Sequence, residues 1–153
     1  MKAIQRNYEA AQAEAAQRIG YQVGYSEQAL KTLALVNGGA IIGLFTFIGN
    51  NGSLPIDVSW LWWAFASFVA GLAFTMIGYL GAFMSQGKYY QAAQAEAWNE
   101  LDRAASGLAW GRDHDAVTAI GFRWELAGVA AGMLALLAFV TGAGMALAGA
   151  LPA

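Results

Sequence analysis

Three long stretches of this chain contain no charged residue and are almost entirely apolar: residues 32–49, 60–84 and 126–151. A helix that crosses the hydrocarbon core of a bilayer needs about 20 mostly apolar residues, and each stretch is close to or above that length. The whole chain is 58% hydrophobic and 12% charged, which is too little charge to cover the surface of a water-soluble domain. The sequence therefore predicts an all-α integral membrane protein with three transmembrane helices.

The basic residues predict how these helices are oriented. All eight lysines and arginines lie either in residues 1–31 or in residues 85–125, whereas the loop at residues 50–59 carries only Asp57. Basic residues concentrate in short cytoplasmic segments. We therefore expect the N-terminus and residues 85–125 in the cytoplasm, and the loop and the C-terminus outside the cell's inner membrane. The net charge of −2 offers no basic face for a nucleic-acid partner.

Two cytoplasmic segments carry nearly the same eight residues, YEAAQAEA at 8–15 and YQAAQAEA at 90–97. Alanine-rich composition alone can produce such a repeat. However, Ala13 lies 41 residues before Leu54 in the outer loop and Ala95 lies 41 residues after it, so the copies stand at equal height if both helices continue beyond the membrane. We then expect an antiparallel helical stalk between residues 1–31 and the extension of the second helix. Its predicted seam residues are Ala13, Ala95, Trp98 and Leu101.

Residues 20–26 leave a second arrangement open for the N-terminal helix. Gly20 and Gly24 each cost about 1 kcal/mol relative to alanine in a helix, and Ser26 is suited to cap a new helix. The N-terminal helix would then lie on the membrane, although its lysine-poor polar face favours the upright stalk. Further along, we expect a turn near residues 106–113, with Asp113 capping the third helix and Asp115 in its first turn.

Polar and small residues inside the apolar stretches predict helix contacts. Asn37 is expected to form a hydrogen bond with another helix or, alternatively, to line a pore. Glycine pairs at i, i+4 and a ridge of small residues on the second helix allow close helix packing. Because every helix carries such residues, we expect some of them to face another subunit. The predicted packing or oligomer-interface residues are Asn37, Gly39, Gly43, Ser67, Gly71, Thr75, Gly128 and Gly132.

Arg123 and Glu125 form the predicted interfacial charges at the start of the third apolar stretch. Glu125 is expected to pair with Arg123 or Lys31. No ionisable residue lies in the middle of any stretch. Ion-coupled transporters normally mark their transport path with such groups, so this class is disfavoured.

The sequence predicts no catalytic residue, cofactor or metal site, because it contains no metalloprotease, phosphate-loop or nucleophile-elbow motif and no cysteine. His114 stands between two aspartates, but consecutive helical residues do not converge on one ion. We therefore expect a noncatalytic accessory or scaffolding subunit. It would assemble through its glycine-rich faces and its stalk, by self-association, in a larger membrane complex or with a cytoplasmic partner. The alternative is a homo-oligomeric pore or a membrane-perturbing effector.

Overall fold

The computed structural model describes residues 2–50, 57–106, 111 and 113–150, without the side chains of residues 2–23, 25, 97, 100, 101, 104 and 106. This part of the chain forms three helices: α1 (Lys2–Asn50), α2 (Val58–Ser106) and α3 (His114–Ala150). The prediction of an all-α fold is confirmed for the described residues.

Each of the three helices contains a segment long and apolar enough to cross a membrane. These segments are Ser26–Asn50, Val58–Glu96 and His114–Ala150. Helices α1 and α2 have 49 residues each. At 1.5 Å per residue they are roughly 74 Å long, more than twice the thickness of a hydrocarbon core of about 30 Å. Both helices therefore continue well beyond the part that a bilayer would enclose.

Aspartate side chains cap the starts of α2 and α3. The Asp57 carboxylate accepts a hydrogen bond from the Ser59 amide (2.9 Å) at the start of α2, and the Asp113 carboxylate accepts one from the Ala116 amide (2.9 Å) at the start of α3. The prediction that Asp113 caps the third helix is thereby confirmed. By contrast, α1 is helical throughout residues 20–26, so no new helix begins at Ser26.

Helices α2 and α3 form the closest pair, which we call the α2–α3 hairpin. Glycines lie where the two backbones meet. A Cβ atom placed on Gly81 would lie 2.8 Å from the Cα of Gly128, and one placed on Gly142 would lie 2.7 Å from the ring of Phe68. Because any side chain would collide at these positions, the glycines set the distance between the two helices.

Helix α1 packs on the side of the hairpin, mainly against α2, and it makes far fewer contacts with α3. Leu44 of α1 joins Leu61, Ala64 and Phe68 of α2 in a buried apolar cluster. Nearby, the ring centroids of Phe45 and Phe65 lie 5.3 Å apart in an edge-to-face contact. The contact between α1 and α2 is therefore made by side chains, whereas the hairpin also brings backbone against backbone at Gly81 and Gly128.

The distribution of side-chain size is the reverse of that in a water-soluble bundle. Ala64 and Ala135 are fully buried, whereas Leu35 and Phe83 are each 75% exposed. In water, large apolar side chains fill the core because exposing them is unfavourable. Lipid tails are as apolar as leucine, so this arrangement is favourable in a bilayer and is typical of membrane helices.

Candidate functional site

Asn37 lies at the crossing of α1 and α2 and is completely buried. Its Nδ2 atom donates a hydrogen bond to the Leu33 carbonyl of its own helix (2.9 Å). Its Oδ1 atom is pressed against α2 and occupies the space that a Cβ atom on Gly71 would need. Asn37 therefore packs against another helix, as expected, but its hydrogen bond stays within α1.

The predicted ridge of small residues on α2 contacts both α1 and α3. Gly71 and Thr75 are buried, with Gly71 against Asn37 of α1. Ser67 faces α3, since its hydroxyl lies 3.8 Å from the sulfur of Met145. Gly71 and Ser67 of this ridge thus contact the two different helices that pack on α2.

Gly128 and Gly132 of α3 both have their neighbours within the chain. A Cβ atom on Gly128 would lie 3.2 Å from the Gly78 carbonyl oxygen of α2. One on Gly132 would lie 3.9 Å from the side chain of Leu30, which reaches across from α1. This glycine pair is therefore occupied by the protein's own helices.

Gly39 and Gly43 of α1 are in the opposite situation. Both are exposed, and a Cβ atom at either position would meet no atom within 4 Å. Thr32 and Thr46 lie one heptad before and after Gly39, so all four residues share one side of the helix. The hydroxyls of Thr32 and Thr46 donate to the carbonyls of Gln28 (2.9 Å) and Ile42 (2.8 Å), respectively. We call Thr32, Gly39, Gly43 and Thr46 the α1 open face.

The α1 open face borders a groove between α1 and α3. Gly43, Leu44 and Phe47 line it on one side, and Ala146 and Ala150 line it on the other. Helix α1 makes few contacts with α3, and the backbone of Gly43 beside the groove is exposed.

At the opposite end of the hairpin, Glu125 accepts a hydrogen bond of 2.6 Å from the Tyr89 hydroxyl. Lys31, one of its expected partners, has its ammonium on Glu27 one turn earlier in α1 (2.7 Å). The structure shows no bond from Glu125 to Arg123 either, and Arg123 is exposed. Tyr89 was not anticipated, since it lies 36 residues from Glu125 and no sequence periodicity connects them.

The predicted stalk residues are only partly described. Ala95 is half-buried and Trp98 is 54% exposed. The side chains of Ala13 and Leu101 lie outside the described residues. The helices that carry them are continuous, but the packing of the seam remains a prediction.

The segment around His114 contains the titratable residues closest together in sequence. The imidazole Nε2 atom of His114 lies 3.3 Å from the carboxylate of Asp115, while Asp113 acts as the helix cap. Within the described part of the chain, no group of three or more His, Asp or Glu side chains could hold a metal ion. In comparisons with known proteins, no family model, no curated protein and no solved structure matches this chain.

Proposed function

We propose that this chain is a noncatalytic accessory or scaffolding subunit of a membrane assembly, and that it binds neighbouring helices through the α1 open face. The observation that carries the proposal is that Gly39 and Gly43 expose backbone with no atom within 4 Å of a Cβ position. Helices in lipid associate where small residues let backbones approach closely. The same type of residue joins α2 to α3, so a second copy of the chain can approach α1 in the same way.

The size of the purified particle tests this proposal. Gly39→Leu should convert an oligomer into a smaller particle in mild detergent, because the added side chain separates the backbones, while thermal stability should stay the same. Ile42→Leu is the matched control, since Ile42 is 69% exposed and leucine is equally apolar. A wild-type chain that is monomeric at every concentration in nanodiscs would contradict self-association and leave only a complex with a different protein.

We also propose the antiparallel stalk. The register between α1 and α2 supports it: Leu30 packs on Gly78 and Asn37 packs on Gly71, so seven residues along α1 correspond to seven along α2. The same register, extended by twenty-four residues along both helices, brings Ala13 level with Ala95. Cysteines at these two positions should crosslink in this cysteine-free chain, and cysteines at Ala13 and Leu108 should not. Failure of Ala13 with Ala95 and of neighbouring pairs would favour an N-terminal helix that lies on the membrane.

The proposed location is the inner membrane, with the N-terminus in the cytoplasm and the C-terminus outside. Its support is the concentration of all eight basic residues on one side of the three spans. A membrane-impermeant thiol reagent added outside the cell should label a cysteine at Ser53 and leave one at Gly111 unlabelled. Outside labelling at Gly111 would overturn the orientation.

A homo-oligomeric pore is the second candidate. Asn37 and Thr46 do not form one polar stripe, because Asn37 is buried and Thr46 is exposed. A ring of α1 helices with their open faces toward the axis would instead line it with Thr32 and Thr46. Ion flux through liposomes that contain the protein, reduced by Thr46→Val, would support the pore. Flux equal to that of empty liposomes would reject it.

A further inference from the structure

One buried polar atom at the α1–α2 crossing has no hydrogen-bond partner among the described residues. It is the Oδ1 atom of Asn37. The atom faces Gly71, which has no side chain and whose amide belongs to the hydrogen-bond ladder of α2. An unpaired acceptor buried in a medium without water is unfavourable, so this arrangement leaves a hydrogen bond unmade.

A suitable donor lies one helical turn further along the same face of α2. Thr75 is completely buried, and its hydroxyl donates to the Gly71 carbonyl (2.8 Å). That carbonyl also belongs to the α2 hydrogen-bond ladder, so the hydroxyl can turn to another acceptor without leaving the carbonyl unpaired. The hydroxyl one turn in the other direction, that of Ser67, is directed at Met145 of α3. Thr75 is therefore the hydroxyl available to α1.

We propose that α1 has a second register on α2, displaced by four residues or about 6 Å, in which Asn37 packs against Thr75 and accepts a hydrogen bond from its hydroxyl. The observed register has the tighter fit of Asn37 on Gly71, and the second register satisfies the amide oxygen. Elements that pack in two discrete positions one turn apart are a known basis for conformational switching.

Two features of the surroundings of α1 favour this displacement. Leu30 would move from Gly78 to Ala82, which is also a small residue of α2. Helix α1 contacts α3 only sparsely, and nothing lies within 4 Å of the Cβ positions of Gly39 and Gly43 on its other side. Because α1 is one continuous helix from Lys2 to Asn50, its N-terminal half would move with the spanning part. The inference stands whether or not the open face binds a second copy.

Cysteine pairs distinguish the two registers in this cysteine-free chain. Phe45→Cys with Phe65→Cys reports the observed register, because the two rings are in contact. Phe45→Cys with Val69→Cys reports the second one, since Val69 lies one turn further along α2. A membrane-permeable oxidant traps each register as it is visited, so we expect both pairs to form disulfides, the second more slowly.

Two substitutions should shift the balance between the two registers. Each is added to a chain that carries one cysteine pair, and its crosslinking rate is compared with that of the same pair without the substitution. Thr75→Val keeps the shape of the side chain but removes the hydroxyl, and it should lower the Val69 crosslinking rate about fivefold, the effect of one typical hydrogen bond. Gly71→Ala places a Cβ atom against Asn37 and should make the Val69 pair the faster one. Gly87→Ala, also in α2 but with no atom within 4 Å, should change neither rate.

Two outcomes would overturn the second register. The first is a wild-type background in which only the Phe65 pair ever crosslinks, and this result stands even if Gly71→Ala fails to fold. The second is a Val69 crosslinking rate that Thr75→Val leaves unchanged, because the donor hydroxyl would then play no part in the displaced position.

Discussion

In the α2–α3 hairpin, glycines such as Gly81 and Gly128 lie against the neighbouring helix, whereas the glycines in the spanning part of α1 have no neighbour. Gly128 of α3 has backbone atoms of α2 against it, while Gly39 and Gly43 of α1 have open space. Both helices carry the same spacing of two glycines four residues apart. The difference shows that such a pair permits close packing without specifying the partner, which depends on the helices beside it.

Leucine introduced into both regions gives the strongest test of this comparison. Gly142→Leu should destabilise the fold by about 3 kcal/mol, because the ring of Phe68 already occupies the space that the side chain needs. Gly43→Leu on the open face should change the stability by less than about 0.5 kcal/mol. Thermal unfolding in detergent measures both values. Equal losses would show that Gly43 packs against its own chain or that the hairpin seam can relax.

Two leucines of α1 test how firmly that helix is held. Leu30 is 9% exposed and its side chain touches Gly78, whereas Leu35 is 75% exposed. Leu30→Ala should lower stability by about 1–2 kcal/mol, below the range typical of aqueous cores because lipid can solvate exposed apolar surface. Leu35→Ala should have almost no effect. A Leu30→Ala variant as stable as Leu35→Ala would mean that α1 is held only through the contacts of Leu44 and Phe45.

The smallest expected effect concerns the end of the hairpin at Tyr89. Tyr89→Phe removes the hydrogen bond to Glu125, which joins α2 to α3, and should cost about 0.5–1 kcal/mol in a partly exposed setting. Tyr90→Phe removes a bond to Gln94 within α2 and should cost less than about 0.5 kcal/mol. Unfolding measured in the same detergent compares the two. A larger loss from Tyr90→Phe would show that the contact between helices contributes little.

The spanning segments and the helix caps could be predicted from the sequence because both are local properties. A stretch without charge can be recognised from its own residues, and Asp113 caps the helix that begins immediately after it. The sequence leaves open whether α1 is continuous through residues 20–26, and the structure shows that it is. Its two glycines weaken a helix only slightly compared with the many backbone hydrogen bonds that continue on both sides.

The partners of the candidate residues could not be predicted, since they depend on contacts between distant parts of the chain. Nothing in the sequence distinguishes Gly39, which is open, from Gly128, which is packed. Likewise, Asn37 was expected to find a hydrogen bond on another helix, but it meets Gly71, which has no side chain to offer one. Such outcomes are decided by which ridge of one helix meets which groove of the next.

Asp57, which immediately precedes α2, contacts the last turn of α3. This contact has a consequence for the connectivity of the chain. The Asp57 amide donates a hydrogen bond to the Gly149 carbonyl (3.1 Å), so these two helix ends are neighbours. A short linker could therefore join residue 150 directly to residue 57. In such a rearranged chain, with α1 supplied as a separate segment, α3 would precede α2 and the seam would be retained, because the contacts between the two helices do not depend on the order in which they are synthesised.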